Sequence, residues 1–256
     1  MSIKSKVFAA AAALTLVGGV GAVGTMSAGA ATPSCGHSCI DVFNRAFSSH
    51  SNPSFVQDVL RQGEKVGQPI ILFRQSNSDP AEDFTVSYQG QVSDFYGAGL
   101  VSAGLDLHYG GGCAVYTPPT GPVPSNTPGT CQTYYPDDFA FEVEYSPYGV
   151  DSGLCVGVPT TAVNDTYVSL QPCGATAKTV WVQDVDNATG FVGSYTPFIN
   201  GSDTNFSHPY VLDYPHNSFP TDMPRAQLIT NELELNAHHA IVQDTQEWSE
   251  NFGTLR

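Results

Sequence analysis

The sequence predicts an all-β fold of three related units packed around a pseudo-threefold axis, and three observations predict it. Helical periodicity is scarce, whereas short apolar runs recur at 69–73, 139–145, 167–170 and 210–214, bounded by Gly, Pro, Asn, Asp or Ser. The chain carries eighteen prolines and twenty-five glycines, a turn density that suits many short strands better than a helical bundle. One layout of strand, turn, strand and aromatic residue occurs three times.

The first unit runs Phe55-Val56-Gln57-Asp58-Val59, then Ile70-Ile71-Leu72-Phe73, then Glu82-Asp83-Phe84. The second runs Leu154-Cys155-Val156-Gly157-Val158, Val168-Ser169-Leu170-Gln171 and Thr179-Val180-Trp181. The third runs Tyr210-Val211-Leu212-Asp213-Tyr214, Ala226-Gln227-Leu228-Ile229 and Gln246-Glu247-Trp248. In each, an alternating strand leads through a polar turn to a second strand ending in Leu plus one residue, and a loop then delivers an aromatic. The leucines and aromatics, Trp181 and Trp248 among them, are expected to share one core, so that three units close a barrel with few open edges.

These segments resemble the ricin-type β-trefoil lectin family, whose units carry a Cys-Leu-Asp-Val-like strand, a Leu-Trp-like strand and a terminal Gln-x-Trp. Gln246-Glu247-Trp248 keeps that last motif whole, and Thr179-Val180-Trp181 and Glu82-Asp83-Phe84 are degraded forms of it. The approach 149–155 also looks like the family's entry into a repeat. The resemblance spans about residues 40–252 and implies a β-trefoil, a disulfide between Cys155 and Cys173, and sugar sites. In the family, those sites use the Asp of the first strand, the residue ending the second, and the polar pair at Gln-x-Trp. Carried over, the first unit offers Asp58, Phe73 and Glu82, with Ala81 where the family has Asn. The third offers Asp213 and Gln246, with Ile229 in place of the stacking aromatic and Thr245 in place of Asn. The second has Gly157, Gln171 and Thr179, lacks the carboxylate, and reads as a structural unit.

Spacing sets the first unit apart. Asp58 and Gly157 are 99 residues apart, against 56 between Gly157 and Asp213, so an insertion is expected at about 92–137. It holds Leu100, Val101, Leu105 and Leu107, which suit a short helix or a hairpin, and a Pro/Gly-rich loop at 118–129. It reads either as a tolerated surface excursion or as a binding element.

Residues 1–30 read as a cleaved secretory leader: Lys4 and Lys6 precede an apolar run at 7–23, and Ala28-Gly29-Ala30 offers small residues for cleavage. The single domain expected is then 31–256. It keeps seven basic residues against twenty-four acidic ones, a formal charge of −17, which disfavours nucleic acid and anionic membranes as partners. Its six cysteines, Cys35, Cys39, Cys113, Cys131, Cys155 and Cys173, favour disulfides in an exported chain. Their order suggests bridges 35–39, 113–131 and 155–173, though other pairings stay open.

Chemistry is less legible. The adjacent His238 and His239 would point to opposite faces of a strand and have no ligand-spaced carboxylate or Cys, so no metal site is expected there. The familiar hydrolase and nucleotide motifs are absent, no cofactor is implied, and no acid pair can be picked from twenty-four acids by spacing. The expectation is a secreted, non-enzymatic protein that binds a glycan or cell-wall polysaccharide. The alternatives are an interaction or inhibitor module that uses the insertion and has no sugar site, and a hydrolase with an unrecognised acid pair.

Overall fold

Three groups of four principal strands make up the fold, the second with an additional two-residue strand. The first is β1 (Cys39–Asn44), β2 (Phe55–Val59), β3 (Ile70–Arg74) and β4 (Phe84–Gln91). Between it and the second lie α1 (Val92–Gly97), α2 (Ala103–Tyr109), β5 (Gly110–Thr117), β6 (Gly121–Ser125) and β7 (Thr133–Asp137). The second is β8 (Phe139–Tyr145), β9 (Leu154–Gly157), the two-residue β10 (Thr166–Tyr167), β11 (Ser169–Pro172) and β12 (Val180–Gln183). The third is β13 (Phe198–Asn200), β14 (Tyr210–Asp213), β15 (Glu234–Ala237) and β16 (Trp248–Phe252). The structure is a computed structural model that describes residues 39–48, 54–76, 78–117, 121–125, 133–174, 176–184, 195–204, 209–216, 233–237 and 243–252. At 107–108, 111–117, 121–125, 133–137 and 251–252 it describes the backbone alone.

First and fourth strands of the three groups form a closed barrel. β1 pairs with β4 and β16, β4 with β8, β8 with β12, and β12 with β13, all antiparallel. The ring closes where Thr196, just before β13, exchanges backbone hydrogen bonds of 2.9 and 3.0 Å with Trp248 of β16. Second and third strands form three hairpins, β2–β3, β9–β11 and β14–β15. The hairpins lock to one another in a cycle: Ile70 N–H donates to the Val168 carbonyl (3.1 Å), Val168 N–H to Leu233 (2.8 Å), and Leu233 N–H to Ile70 (2.9 Å). A six-stranded barrel with a cyclic triplet of hairpins is a β-trefoil, and this hydrogen-bond pattern establishes it.

Register makes the three units equivalent. Gln57 pairs with Leu72, Val156 with Leu170 and Leu212 with Leu235, and one residue later Asp58, Gly157 and Asp213 pair with Ile71, Ser169 and Glu234. This corrects the sequence reading of the third unit. The partner of β14 is β15, not the segment at 226–229, which lies outside the described residues, and Leu235 stands where Leu72 and Leu170 stand. Gln227-Leu228-Ile229 and Glu234-Leu235-Asn236 both read polar-Leu-x in sequence. The second follows directly on Leu233, the residue that completes the hairpin cycle.

Leu72, Leu170 and Leu235 are buried in one core with Phe84, Trp181 and Trp248. Each aromatic faces the first strand of the next unit: Phe84 opposite Tyr145, Trp181 opposite Asn200, Trp248 opposite Asn44. The two indoles also tie barrel to hairpin, because Trp181 Nε1 donates to the Val156 carbonyl at 2.9 Å and Trp248 Nε1 to Leu212 at 2.8 Å. The Cys155–Cys173 disulfide staples the β9–β11 hairpin. Cys39 is also disulfide-bonded, but Cys35, Cys131 and the side chain of Cys113 lie outside the described residues.

Residues 92–137 add a second core on the outside of the barrel. Val92 and Phe95 of α1 and Leu105 and Tyr109 of α2 pack with Val180 and Val182 of β12, which flank the inward-facing Trp181 and so point the other way. Ser102 caps α2 by accepting from Leu105 N–H at 3.3 Å. The remaining segment is a three-stranded sheet in the order β6-β5-β7. Among the described residues no helix is long and apolar enough to cross a membrane.

Two stability outcomes follow. Replacing Cys155 and Cys173 together by Ala frees a hairpin loop of 18-residue separation; urea unfolding is expected to show a loss of roughly 3 kcal/mol. Trp248→Phe removes the indole hydrogen bond and leaves a small cavity, although Phe84 shows that Phe fits this position elsewhere. The expected cost is about 1–3 kcal/mol in the same assay.

Candidate functional site

Among the described residues, the first unit gathers most acid at one place. β2 carries Asp58 opposite Ile71 on β3, and Phe73, two residues beyond Ile71, stands diagonally on the same face. Phe73 is half-buried against Leu60 and Ile71. The 3₁₀ turn Pro80–Glu82 lies over this face and brings two more carboxylates. Pro80 presets the first helical position, and Asp79 caps the turn by accepting from Ala81 N–H at 3.1 Å. Oxygens of Asp58, Asp79 and Glu82 fall within 4.8 Å of one another.

The structure thus brings Asp58 and Glu82 together and adds Asp79, which sequence reasoning missed. Its signal was present: Asp-Pro followed by Glu at the third position is a helix-start pattern. Asp58 and Glu82 are 4 % and 1 % exposed, and Asp79 is intermediate. Glu82 is largely engaged within the fold, since both its oxygens accept from Ser76 N–H at 2.8 and 2.9 Å. Asp79 Oδ1 accepts a second hydrogen bond, from Gln62 Nε2 at 2.8 Å.

Beneath this cluster sits Tyr145, fully buried, with its ring against Phe84 at 5.8 Å. Its hydroxyl has no hydrogen-bond partner. Burial holds its proton on well above the ordinary value of 10, and the charges of Glu64, Asp58, Asp83 and Asp79 act in the same direction, which places the hydroxyl end of the ring on the acid side. At the equivalent positions Asn44 donates to the Thr245 carbonyl at 2.8 Å and Asn200 to Lys178 at 2.9 Å. Those two amides are satisfied by the protein, and the phenol is not.

The second unit has no room for a side chain at the carboxylate position. A Cβ on Gly157 would stand 2.6 Å from the Lys178 carbonyl oxygen and 3.0 Å from Thr179 Cγ2, so the carboxylate position is closed by backbone. Thr179 instead donates to Glu142, whose carboxylate also accepts from Gly174 N–H at 3.1 Å.

In the third unit, Asp213 and Gln246 take different partners on β15. Asn236 Nδ2 donates to Asp213 Oδ2 at 2.9 Å and to Glu234 Oε1 at 3.0 Å, while Gln246 Nε2 donates to the Ala237 carbonyl at 3.2 Å. Gln246 is buried and holds the loop to the hairpin. The corrected register puts Asn236, not Ile229, at the position equivalent to Phe73, so this unit offers an amide where the first offers a ring. Burial raises the pKa of Glu234, opposed by the bond from Asn236 and aided by Asp165 and Asp213, with His216 lowering it. His238 and His239 lie outside the described residues.

No protein-family model matches the chain, and no curated protein matches it. Solved structures with a similar chain path include the designed threefold-symmetric protein ThreeFoil, at 9 % identity and TM-score 0.47 over 83 % of this chain and 97 % of that one. A mosquitocidal holotoxin is similar at 10 % identity and TM-score 0.46 over 86 % of this chain, which spans only 18 % of the toxin. The Rhizoctonia solani agglutinin is similar at 12 % identity and TM-score 0.43, over 84 % and 94 %.

The raised pKa of Glu234 has a testable sign. The folded protein holds this proton more tightly than the unfolded chain, so stability falls as pH rises from the ordinary 4.5 through the raised value. Glu234→Gln, which can still accept from Asn236, is expected to raise Tm at neutral pH and to leave it unchanged at pH values below about 4.

Proposed function

We propose that this chain is a secreted, non-enzymatic glycan-binding protein whose working site is the first unit. The observation that carries the reading is the convergence of Asp58, Asp79 and Glu82 beside the half-buried ring of Phe73. A sugar needs acceptors for its vicinal hydroxyls and an apolar surface for its ring face, and this hairpin face offers both. The third unit offers a second, wholly polar contact through Asp213 and Asn236, and the second unit serves the scaffold. The bonded cysteines fit an oxidising, exported setting. A shallow site of this kind binds weakly, at about millimolar affinity, so useful binding draws on more than one site.

A second reading, a protein-interaction module built on the insertion, is favoured by the exposed rings of Tyr96 on α1 and of Tyr88 and Phe139 on the strands flanking it. Replacing Tyr88, Tyr96 and Phe139 by Ala separates the two, since it removes activity only under this second reading.

Binding to a panel of immobilised glycans and cell-wall polysaccharides tests the proposal. The expected result is weak, saturable binding that Asp58→Asn abolishes at unchanged Tm. Failure to retain any glycan, or an Asp58→Asn protein that binds as well as the parent, would sink the lectin reading.

A further inference from the structure

We propose that Asp58, Asp79 and Glu82 hold a calcium ion, with the buried hydroxyl of Tyr145 donating a hydrogen bond to a water in the ion's coordination shell. Two independent observations converge on this. The first is the spacing of the carboxylates. Three carboxylate oxygens within 4.8 Å of one another make an all-oxygen, anionic donor set carried on two separate elements, the kind of set that calcium takes in its adaptable coordination shell. Three like charges so close, two of them on buried side chains, repel one another, and a divalent cation between them adds an attraction to each carboxylate that outweighs that repulsion.

The second observation is the phenol. Tyr145 is fully buried and its hydroxyl is left without a partner, while the charges acting on it belong to the acidic residues of this cluster and its surroundings. A buried hydroxyl calls for a hydrogen-bond partner. An ion-bound water, polarised by the metal and placed between the carboxylates and the ring, supplies that partner.

The site is also held in shape by the fold. Asp79 is fixed by Ala81 N–H and Gln62 Nε2, and Glu82 by Ser76 N–H. Asp79 is the partly exposed member, so the ion enters from its side and keeps coordination positions there for water or for vicinal hydroxyls. The inference rests on carboxylate geometry and does not depend on the glycan reading.

The test uses calcium alone. The purified protein, stripped with EDTA and dialysed, is titrated with CaCl₂ by calorimetry, and its Tm is read in Ca²⁺ and in EDTA. The expected result is one saturable site, with a Kd of roughly 10⁻⁴–10⁻³ M as in extracellular modules, and a higher Tm in Ca²⁺. Asp79→Asn keeps the cap and the Gln62 contact but loses the charge, and is expected to weaken binding by about tenfold or more. Tyr145→Phe keeps the buried ring and is expected to bind calcium several-fold more weakly with an undiminished Tm in EDTA. A stripped parent protein that gives no saturable heat up to about 10 mM Ca²⁺, or an Asp79→Asn protein that binds calcium as tightly as the parent, overturns the inference. Either result stands whatever the glycan panel shows without calcium, so the two proposals fail separately.

Discussion

Three backbone hydrogen bonds, from Ile70 to Val168 to Leu233 and back to Ile70, are the constraint on which the rest of the structure depends. A cycle of three can close only if each hairpin presents the same residue of its second strand at the axis, and that fixes the register of β3, β11 and β15 against their partners. Register in turn decides which side chains face inward. Leu72, Leu170 and Leu235 follow two residues after the cycle and enter the core, where Phe84, Trp181 and Trp248 meet them from the barrel. The indoles of Trp181 and Trp248 then bind the carbonyl of the hairpin strand beside them, so the barrel and the hairpin triplet are joined by polar as well as apolar contacts.

On this shared frame the units differ in how they fill equivalent polar positions. The carboxylate of Asp58 and Asp213 becomes Gly157 in the second unit because the Lys178 backbone occupies the space a side chain would need. The loop held by Glu82 in the first unit is held by Gln246 in the third and, through Thr179 and Gly174, by Glu142 in the second. Asn44 and Asn200 close their barrel positions with hydrogen bonds to backbone, whereas Tyr145 reaches beyond that place with its hydroxyl on the acid side. Scaffold demands are met three times over, and the departures from symmetry concentrate acid in one unit.

The insertion shows how a long excursion is accommodated. It does not interrupt the cycle, because it leaves after β4 and returns at β8, two neighbours in the barrel that pair along seven residue positions. Its helices cover the outward faces of β12 and its neighbours, giving the alternating valines Val180 and Val182 a second core opposite the one that takes Trp181.

Much of this was legible in the sequence. Alternation marked β2, β8, β9 and β14, the recurrence of Leu and aromatic marked the units, and paired cysteines marked the second hairpin, because these signals are local and repeat at a fixed offset. The sequence also determined that Asp58 and Glu82 belong to one unit and that Gly157 breaks the pattern. Tertiary structure alone decided the rest. It set Glu234-Leu235-Asn236 opposite β14, with Leu233 before it closing the hairpin cycle, a choice that the local pattern, shared with Gln227-Leu228-Ile229, does not make. It brought Asp79 to Asp58 across 21 residues of chain and Tyr145 to both across the barrel, because a cluster of charges is made by packing between elements, and no spacing along one strand encodes it.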